Sequence, residues 1–447
     1  MDLLGFLPVF GNVLWTALAF VVALSVIVAI HEYGHYIVGR WSGIHAEVFS
    51  LGFGPRLWSR VDRRGTRWQI AALPFGGYVK FLGDANAASA GADDATMARL
   101  SPDERRHTMH GAPLWARAAT VAAGPVFNFI LSVLVFTGLF LWQGTATETP
   151  TVGEMRALPG GPGGLQAGDQ IVAVGGVPVA TYEELVDLID DQLSAPGVEY
   201  RVRRDGAELT VEGPVLYPAR AESITPGSAG FDAGLQKGDV ITAADGVTLN
   251  TFGDLQKTVK AAEGRPLKLD VWRPGSASLR MDLAPRVTDV PKADGGFETR
   301  YLIGLTGDFS FAPATEAVGP VDALTAAAAR TWFIARSSLS GIGHIITGAI
   351  STCNLRGPLG IAETSGAAAS TGLADFIWFI AVLSTAVGLL NLFPIPMLDG
   401  GHLVFHAWEW GTGRPPSDRV LNVAMSIGLA LVLGLMVFGL TNDVFCP

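Results

Sequence analysis

Four stretches of the chain are apolar over about the 20 residues that a bilayer-crossing helix needs. They run from about Val9 to Ile30, Trp115 to Trp142, Phe376 to Pro394 and Val420 to Leu440, and each predicts a transmembrane helix. Between the second and third the pattern changes. From about Thr151 to Gly307 the chain is polar, glycine-rich and strand-like. Glu199–Arg203 and Leu267–Trp272 alternate apolar and polar positions, as strands buried on one face do. Each follows a helical stretch that opens near a threonine, Thr181 or Thr251, a residue suited to a helix start. Earlier, Arg67–Ile70 and Gly76–Phe81 also read as strands. From about Val321 to Ile350, Trp332, Phe333, Leu339, Ile342 and Ile346 recur at helical spacing among polar residues. That helix is too polar to span; it either lies on the membrane surface or packs beneath the central region.

Composition agrees with a membrane protein. At 447 residues the chain exceeds one ordinary domain, and only 16% of it is charged, against about 25% in soluble chains. A formal charge of -10 gives nucleic-acid binding no electrostatic support. Cys353 and Cys446 sit in no metal-type spacing. Two unpaired small hydrophobes are the simpler expectation, although an extracytoplasmic disulfide is permitted. The leading residues carry Asp2 and no Lys or Arg before Asn12, so a retained helix is expected rather than a cleaved signal peptide. Arg40, Arg56, Arg60, Arg63, Arg64, Arg67 and Lys80 follow the first span, and Arg105, Arg106 and Arg117 lead into the second. Arg414 and Arg419 lie between the third and fourth. The positive-inside rule then puts these loops in the cytoplasm and the termini and central region outside.

His31-Glu32-Tyr33-Gly34-His35 forms an HExxH motif at the end of the first apolar run. Positions i and i+4 share a helix face, so His31 and His35 can grip one zinc ion. Glu32 can then take the proton of a water that the zinc has acidified. Ionisable groups at the end of a membrane helix imply a partner or a wet cavity. A catalytic zinc needs a third protein ligand. Asp399 is the better candidate and His402 the second choice; His45, His107, His110, His344 and His406 complete the histidines. Asp399 follows Pro394 and Pro396, which should break the third helix, and precedes Gly400-Gly401. The first and third helices both run inward, so the HExxH and Asp399 reach the same cytoplasmic-side depth.

The central region repeats itself. Gly164-Leu165-Gln166-Ala167-Gly168-Asp169 is echoed 70 residues later by Gly234-Leu235-Gln236-Lys237-Gly238-Asp239. This turn resembles that of PDZ domains, which implies two tandem domains whose grooves accept peptide termini by strand addition; Pro226-Gly227-Ser228-Ala229-Gly230 precedes the better-fitting second copy. HExxH in the first helix, Asn391-Leu392-Phe393-Pro394-Ile395-Pro396-Met397-Leu398-Asp399-Gly400 closing the third, and the repeat between them together resemble the site-2 protease family of intramembrane zinc proteases. The order of elements is most similar to its bacterial regulator-of-sigma-E branch. The resemblance implies zinc on His31, His35 and Asp399, a water-activating Glu32, and substrate-strand contacts by Asn391 beside Pro394 and Pro396. Ala386 stands where some bacterial members carry a further asparagine. Gly124-Pro125-Val126-Phe127-Asn128 is similar to another family motif. Asn128 is expected either to donate to the oxyanion of the scissile carbonyl or to bridge two helices. Gly52-Phe53-Gly54-Pro55 and the strands after it resemble a membrane-associated β-hairpin whose edge would pair with an unwound substrate.

The expected architecture is therefore an α+β membrane protein with about four transmembrane helices, a membrane-associated hairpin and two extracytoplasmic PDZ domains. Its segments are 1–40, 41–114, 115–145, 150–220 (first PDZ), 221–310 (second PDZ), 320–370, 374–402 and 418–441. The implied partners are the lipid bilayer, single-span membrane substrates such as trimmed anti-sigma factors or remnant signal peptides, and peptide termini; no nucleic acid is expected. A metal transporter or an inactive PDZ scaffold would have no use for a general base at Glu32.

Overall fold

A computed structural model describes residues 7–85, 91–191, 197–225, 227–276, 278–291 and 297–445. The main elements are, in chain order, α1 (Leu7–Trp41), β1 (Ala46–Val61), β2 (Arg67–Phe81), α2 (Leu114–Gln143), β3 (Gln170–Val174), α3 (Tyr182–Asp191), β4 (Val198–Arg204), β5 (Ala207–Gly213), β6 (Val240–Ala244), α4 (Phe252–Ala262), β7 (Leu267–Trp272), β8 (Leu279–Leu283), α5 (Pro320–Ile346), α6 (Pro358–Thr371), α7 (Leu373–Asn391), α8 (Asp399–Thr412) and α9 (Asp418–Phe445). They fall into two compact units. One gathers Met1–Leu139, Pro320–Gly343 and Leu355–Asp443; the other gathers Phe140–Gly319 with His344–Asn354.

Among the described residues, four helices are long and apolar enough to cross a membrane: Val13–Trp41, Leu114–Gln143, Leu373–Asn391 and Arg419–Phe445. They leave Leu14, Leu18 and Val22 of α1 and Ile427, Leu431 and Leu435 of α9 exposed, a surface that water penalises and lipid covers. The first helix is longer than its apolar run. It continues past Ile30 to Trp41, so the HExxH lies within it rather than at its end. The cause is tertiary: Tyr36 of the added turns is buried with Phe49, Val79, Phe81 and Ala116 in one core shared by α1, the sheet and α2. Near the middle of α1, Ala23 and Ile27 pack with Ile380 of α7.

Between the first two helices the expected hairpin is more elaborate. Phe49 of β1 lies opposite both Val79 and Trp68 of β2, while Trp58 lies opposite Ile70. Each long strand bends once, so two strands form four neighbouring runs, in the order 77–81, 46–51, 67–71 and 56–61. Gly52 makes the bend in β1 possible. Its φ is 86°, a left-handed conformation, and a Cβ there would sit 3.0 Å from the Ala71 carbonyl oxygen.

The amphipathic helix α5 buries the opposite stripe to the bulky one. Ala323, Ala327, Thr331 and Ala335 are buried, whereas Trp332, Phe333, Leu339 and Ile346 are exposed. Small residues allow close helix packing, and the large ones are left to the surroundings. Helix α6 packs on α1, with Gly366 set against Thr16.

The second unit holds two similar antiparallel sheets. One has the order Val177–Pro178, β3, β4, β5; the other has the order Val247–Thr248, β6, β7, β8. Leu165, Ile171, Leu185, Tyr200 and Val202 fill the first core, and Leu235, Ile241, Leu255, Leu269 and Val271 fill the second. Thr181 and Thr251 start their helices as expected, accepting from the backbone N–H groups of Glu184 and Asp254 at 3.2 and 3.0 Å. The repeated turn is a structural lock. Asp169 accepts from the Gln166 backbone N–H at 2.9 Å and from Arg204 Nε at 2.6 Å. Asp239 does the same with Gln236 at 2.8 Å and Arg273 at 2.7 Å. Each arginine also donates to a glycine carbonyl, Gly164 or Gly234. Gly168 and Gly238, with φ of 93° and 95°, let the chain turn into that lock. Tyr217 packs against both cores. Pro226, which precedes the second turn, lies outside the described residues.

Cys353 is disulfide-bonded, contrary to the expectation of two unpaired thiols. The chain's other cysteine, Cys446, lies outside the described residues.

Candidate metal centre and active site

Proline decides where Asp399 sits. Pro394 and Pro396 have no N–H to give, so α7 stops at Asn391. The chain then turns through Leu398 N–H donating to the Ile395 carbonyl at 2.8 Å, and α8 begins at Asp399. A carboxylate in the first turn suits the positive end of that helix. Arg117 of α2 grips Glu409 of α8 with two hydrogen bonds, of 3.0 and 2.6 Å, fixing α8 against α2.

His31 and His35 meet Asp399 from α1. His31 Nε2 lies 3.1 Å from Asp399 Oδ2, His35 Nε2 lies 3.5 Å from Oδ1, and the two Nε2 atoms are 3.2 Å apart. Ligands about 2.0–2.2 Å from a tetrahedral zinc stand about 3.3–3.5 Å from one another, so this donor set has the spacing and chemistry to fit that ion. No other group of three His, Cys, Asp or Glu among the described residues could hold a metal. His402, the second choice, lines the same cavity but stands outside the cluster. Burial, with Arg117 nearby, pushes His406 down to about 4.

The second ring nitrogens are also engaged. His35 Nδ1 is 2.8 Å from the Thr120 carbonyl oxygen, which can only accept, so Nδ1 carries the proton and Nε2 keeps its lone pair for a metal. His31 Nδ1 is 3.1 Å from Nδ2 of the fully buried Asn128, whose Oδ1 is left without a partner among the described residues. The Asn128 backbone carbonyl accepts from the Ser384 hydroxyl at 2.9 Å, and Ser132 donates to the Ala381 carbonyl at 2.8 Å, so α2 is tied to α7. The Asn128 amide thus bridges α2 and α1. Gly124 lets the helices come this close: a Cβ there would lie 2.8 Å from His31 Cε1 and collide with the His35 ring as well.

A cavity of about 600 Å³ opens on the cluster. Glu32, Asn391, Phe53 and Tyr78 line it beside the three candidate ligands. The 77–81 run of β2 comes against α1 here, since a Cβ on Gly77 would lie 3.0 Å from Glu32 Cγ and 2.9 Å from Val28. Asn391 donates to the Val387 carbonyl of its own helix at 3.1 Å. Gly52 and Gly54 shape the bend that carries Phe53, and Pro394 and Pro396 shape the break before Asp399. Thr120, Tyr78 and the Arg117–Glu409 pair carry no signal in the sequence. Nothing local marks them, because their partners lie far away along the chain.

The sequence pattern of peptidase family M50 matches residues 19–435. The chain belongs to peptidase family M50. It is 33% identical over 466 residues to the regulator of sigma-E protease RseP of Salmonella typhimurium, covering 97% of this chain and 99% of that one. Its identity to the Escherichia coli protein of the same name is 34% over 460 residues, covering 96% and 98%. A provisionally named zinc metalloprotease of Agrobacterium fabrum is 35% identical over 426 residues, covering 95% and 94%. Family and relatives make this M50 chain a zinc-dependent intramembrane metalloprotease, and its donor set fits that metal.

Proposed function

We propose that this M50 protease hydrolyses a peptide bond within or beside the transmembrane segment of single-span proteins, with zinc held by His31, His35 and Asp399. The observation that carries the reading is the convergence of those three donors, 3.1–3.5 Å apart, where a membrane helix meets a proline-broken one. Zinc there supplies Lewis acidity toward a water and the scissile carbonyl. Glu32 takes the proton from the attacking water and returns it to the leaving amine. Asn128 orients His31: ligation through Nε2 needs a proton on Nδ1, and turning the amide so that its unpartnered Oδ1 faces Nδ1 gives that proton an acceptor.

A helical substrate hides its peptide bonds, so cleavage needs an unwound strand. The 77–81 run is an edge of the sheet and adjoins Glu32, and it offers N–H and C=O groups to such a strand. Phe53 from the β1 bend, with Gly52 and Gly54, and Asn391, with Pro394 and Pro396, flank the strand.

The two small sheets of the second unit act as tandem PDZ domains, spanning about 150–220 and 221–310. Their turn residues, Gly164, Leu165, Gly168 and Asp169 and Gly234, Leu235, Gly238 and Asp239, build the fold. Peptide recognition falls to the sheet edges, where a terminus exposed by an earlier cleavage adds as a strand. The reaction belongs to regulated intramembrane proteolysis, with trimmed anti-sigma factors or remnant signal peptides as substrates. The setting is the bacterial cytoplasmic membrane, with the active site toward the cytoplasm and the PDZ pair outside. The arginine-rich loops and the disulfide-bonded Cys353 support that orientation.

The test is cleavage of a model single-span substrate in detergent or vesicles by wild type and Glu32→Gln. Wild type should cut and Glu32→Gln should not, with zinc content unchanged. Equal cleavage by both sinks the mechanism.

A further inference from the structure

A second cavity, of about 390 Å³, lies by the C-terminal end of α1. Its size falls within the range of about 300–1,000 Å³ typical of small-ligand sites. Three separate segments furnish it with basic groups. Arg40 comes from the last turn of α1 and His45 from just beyond it; Arg64 comes from the turn joining β1 to β2, and His107 from the approach to α2.

The two arginines have no carboxylate to pair with in the cavity. Glu104 is the one acid among the described lining residues, and Ser101 already engages its carboxylate through N–H at 2.8 Å and hydroxyl at 2.7 Å. Among the described residues neither arginine has a carboxylate partner; Arg40 Nη1 donates to the Tyr36 hydroxyl at 3.1 Å. His107 Nδ1 donates to the Gly43 carbonyl at 2.6 Å. Two guanidinium groups without a carboxylate partner make an anion site there, and guanidinium forks suit phosphate oxygens.

Position narrows the anion. The cavity adjoins the end of the Val13–Trp41 span, and Trp41 is 73% exposed there, as an aromatic side chain is at a membrane interface. That is the level at which lipid phosphates sit. We propose that this cavity binds a phosphate group, carried by an anionic phospholipid headgroup, between Arg40 and Arg64. The inference rests on the reading of α1 as a membrane span and not on the zinc chemistry. A bound headgroup would tie the β1–β2 turn to the end of α1 and so steady the sheet whose far edge adjoins Glu32.

Native mass spectrometry of the full chain in neutral detergent tests it, with phosphatidylglycerol, phosphatidylcholine and inorganic phosphate as separate probes. Phosphatidylglycerol adducts should exceed phosphatidylcholine adducts in wild type and fall about fivefold for each of Arg40→Gln and Arg64→Gln. Arg60→Gln, an exposed arginine of the same sheet outside the cavity, should keep them. Arg64 is on an exposed turn, so Arg64→Gln retains the readout should Arg40→Gln fail to fold. If inorganic phosphate raises the melting temperature with the same arginine dependence and the lipid forms no adduct, the phosphate site stands and its source is soluble. Equal adducts in wild type, Arg40→Gln and Arg64→Gln, with no phosphate effect, overturn the proposal. So does an equal loss in Arg60→Gln.

Discussion

Removing the carboxyl of Asp399 leaves two imidazoles 3.2 Å apart with no third donor. His31→Ala, His35→Ala and Asp399→Ala should each lose bound zinc by elemental analysis, whereas Glu32→Gln keeps it. Retained zinc in the Asp399 variant would falsify the ligand set. Asn128 is tested one layer out. Asn128→Ala should weaken zinc affinity about 10–100-fold, the usual cost of losing a partner behind a metal-binding histidine. Asn128→Asp, whose carboxylate can accept from His31 Nδ1, should recover most of it. A competition titration with a zinc chelator reads both, and an unchanged Asn128→Ala affinity would show that the amide merely joins helices. The HExxH spacing makes His31, Glu32 and His35 legible in the sequence. Thr120 is not legible there, because what the site uses is its backbone carbonyl, which carries no signature of side-chain type.

The edge run of β2 brings local pattern and function together at the next scale. Gly77 lies where a side chain would press on Val28, on Glu32 and on the Ser50 carbonyl oxygen, 2.8 Å away. Gly77→Val should therefore displace the edge from α1 and cut cleavage of a transmembrane substrate by about tenfold or more, the scale on which misplaced catalytic geometry acts. Zinc content should stay at the wild-type level; if cleavage is also unchanged, the edge has no part in seating the substrate. The strands themselves are readable from their alternation and flanking glycines. Their double pairing is not, since Phe49 finds Val79 on one side and Trp68 on the other only once both strands have bent. The end of α1 escapes the pattern for a similar reason. Hydropathy falls after Ile30, but burial of Tyr36 against the sheet extends the helix.

At the scale of the whole molecule, the second unit should carry an acid-labile share of stability. Burial alone would raise the Asp169 carboxyl, but Arg204 and the Gln166 N–H hold it below the usual aspartate range. Burial likewise opposes, and Lys237 and Arg220 outweigh it, at Glu222. For groups whose folded pKa is depressed, the stabilisation is complete above the unfolded values of about 4 and is lost as pH falls through the folded ones. The melting temperature assigned to this unit should be flat from about pH 5 to 8 and fall below about pH 4. Arg204→Met leaves Asp169 without its cation and should lower the denaturant midpoint at neutral pH, measured by denaturant unfolding. A melting temperature insensitive to acid and to Arg204→Met would remove the lock from this account.

Sequence by itself determined the chemistry and the parts list: two histidines and a glutamate on one helix, an aspartate after two prolines, four apolar spans and a repeated glycine–aspartate turn. Those features are local, because periodicity, proline and glycine act on the few residues around them. Only the tertiary structure decided that Asp399 completes a three-donor cluster, that Asn128 stands behind His31, and that the repeated aspartates lock their own turns. Each of those facts depends on a side chain meeting a partner tens to hundreds of residues away, and such meetings are set by how helices and sheets pack.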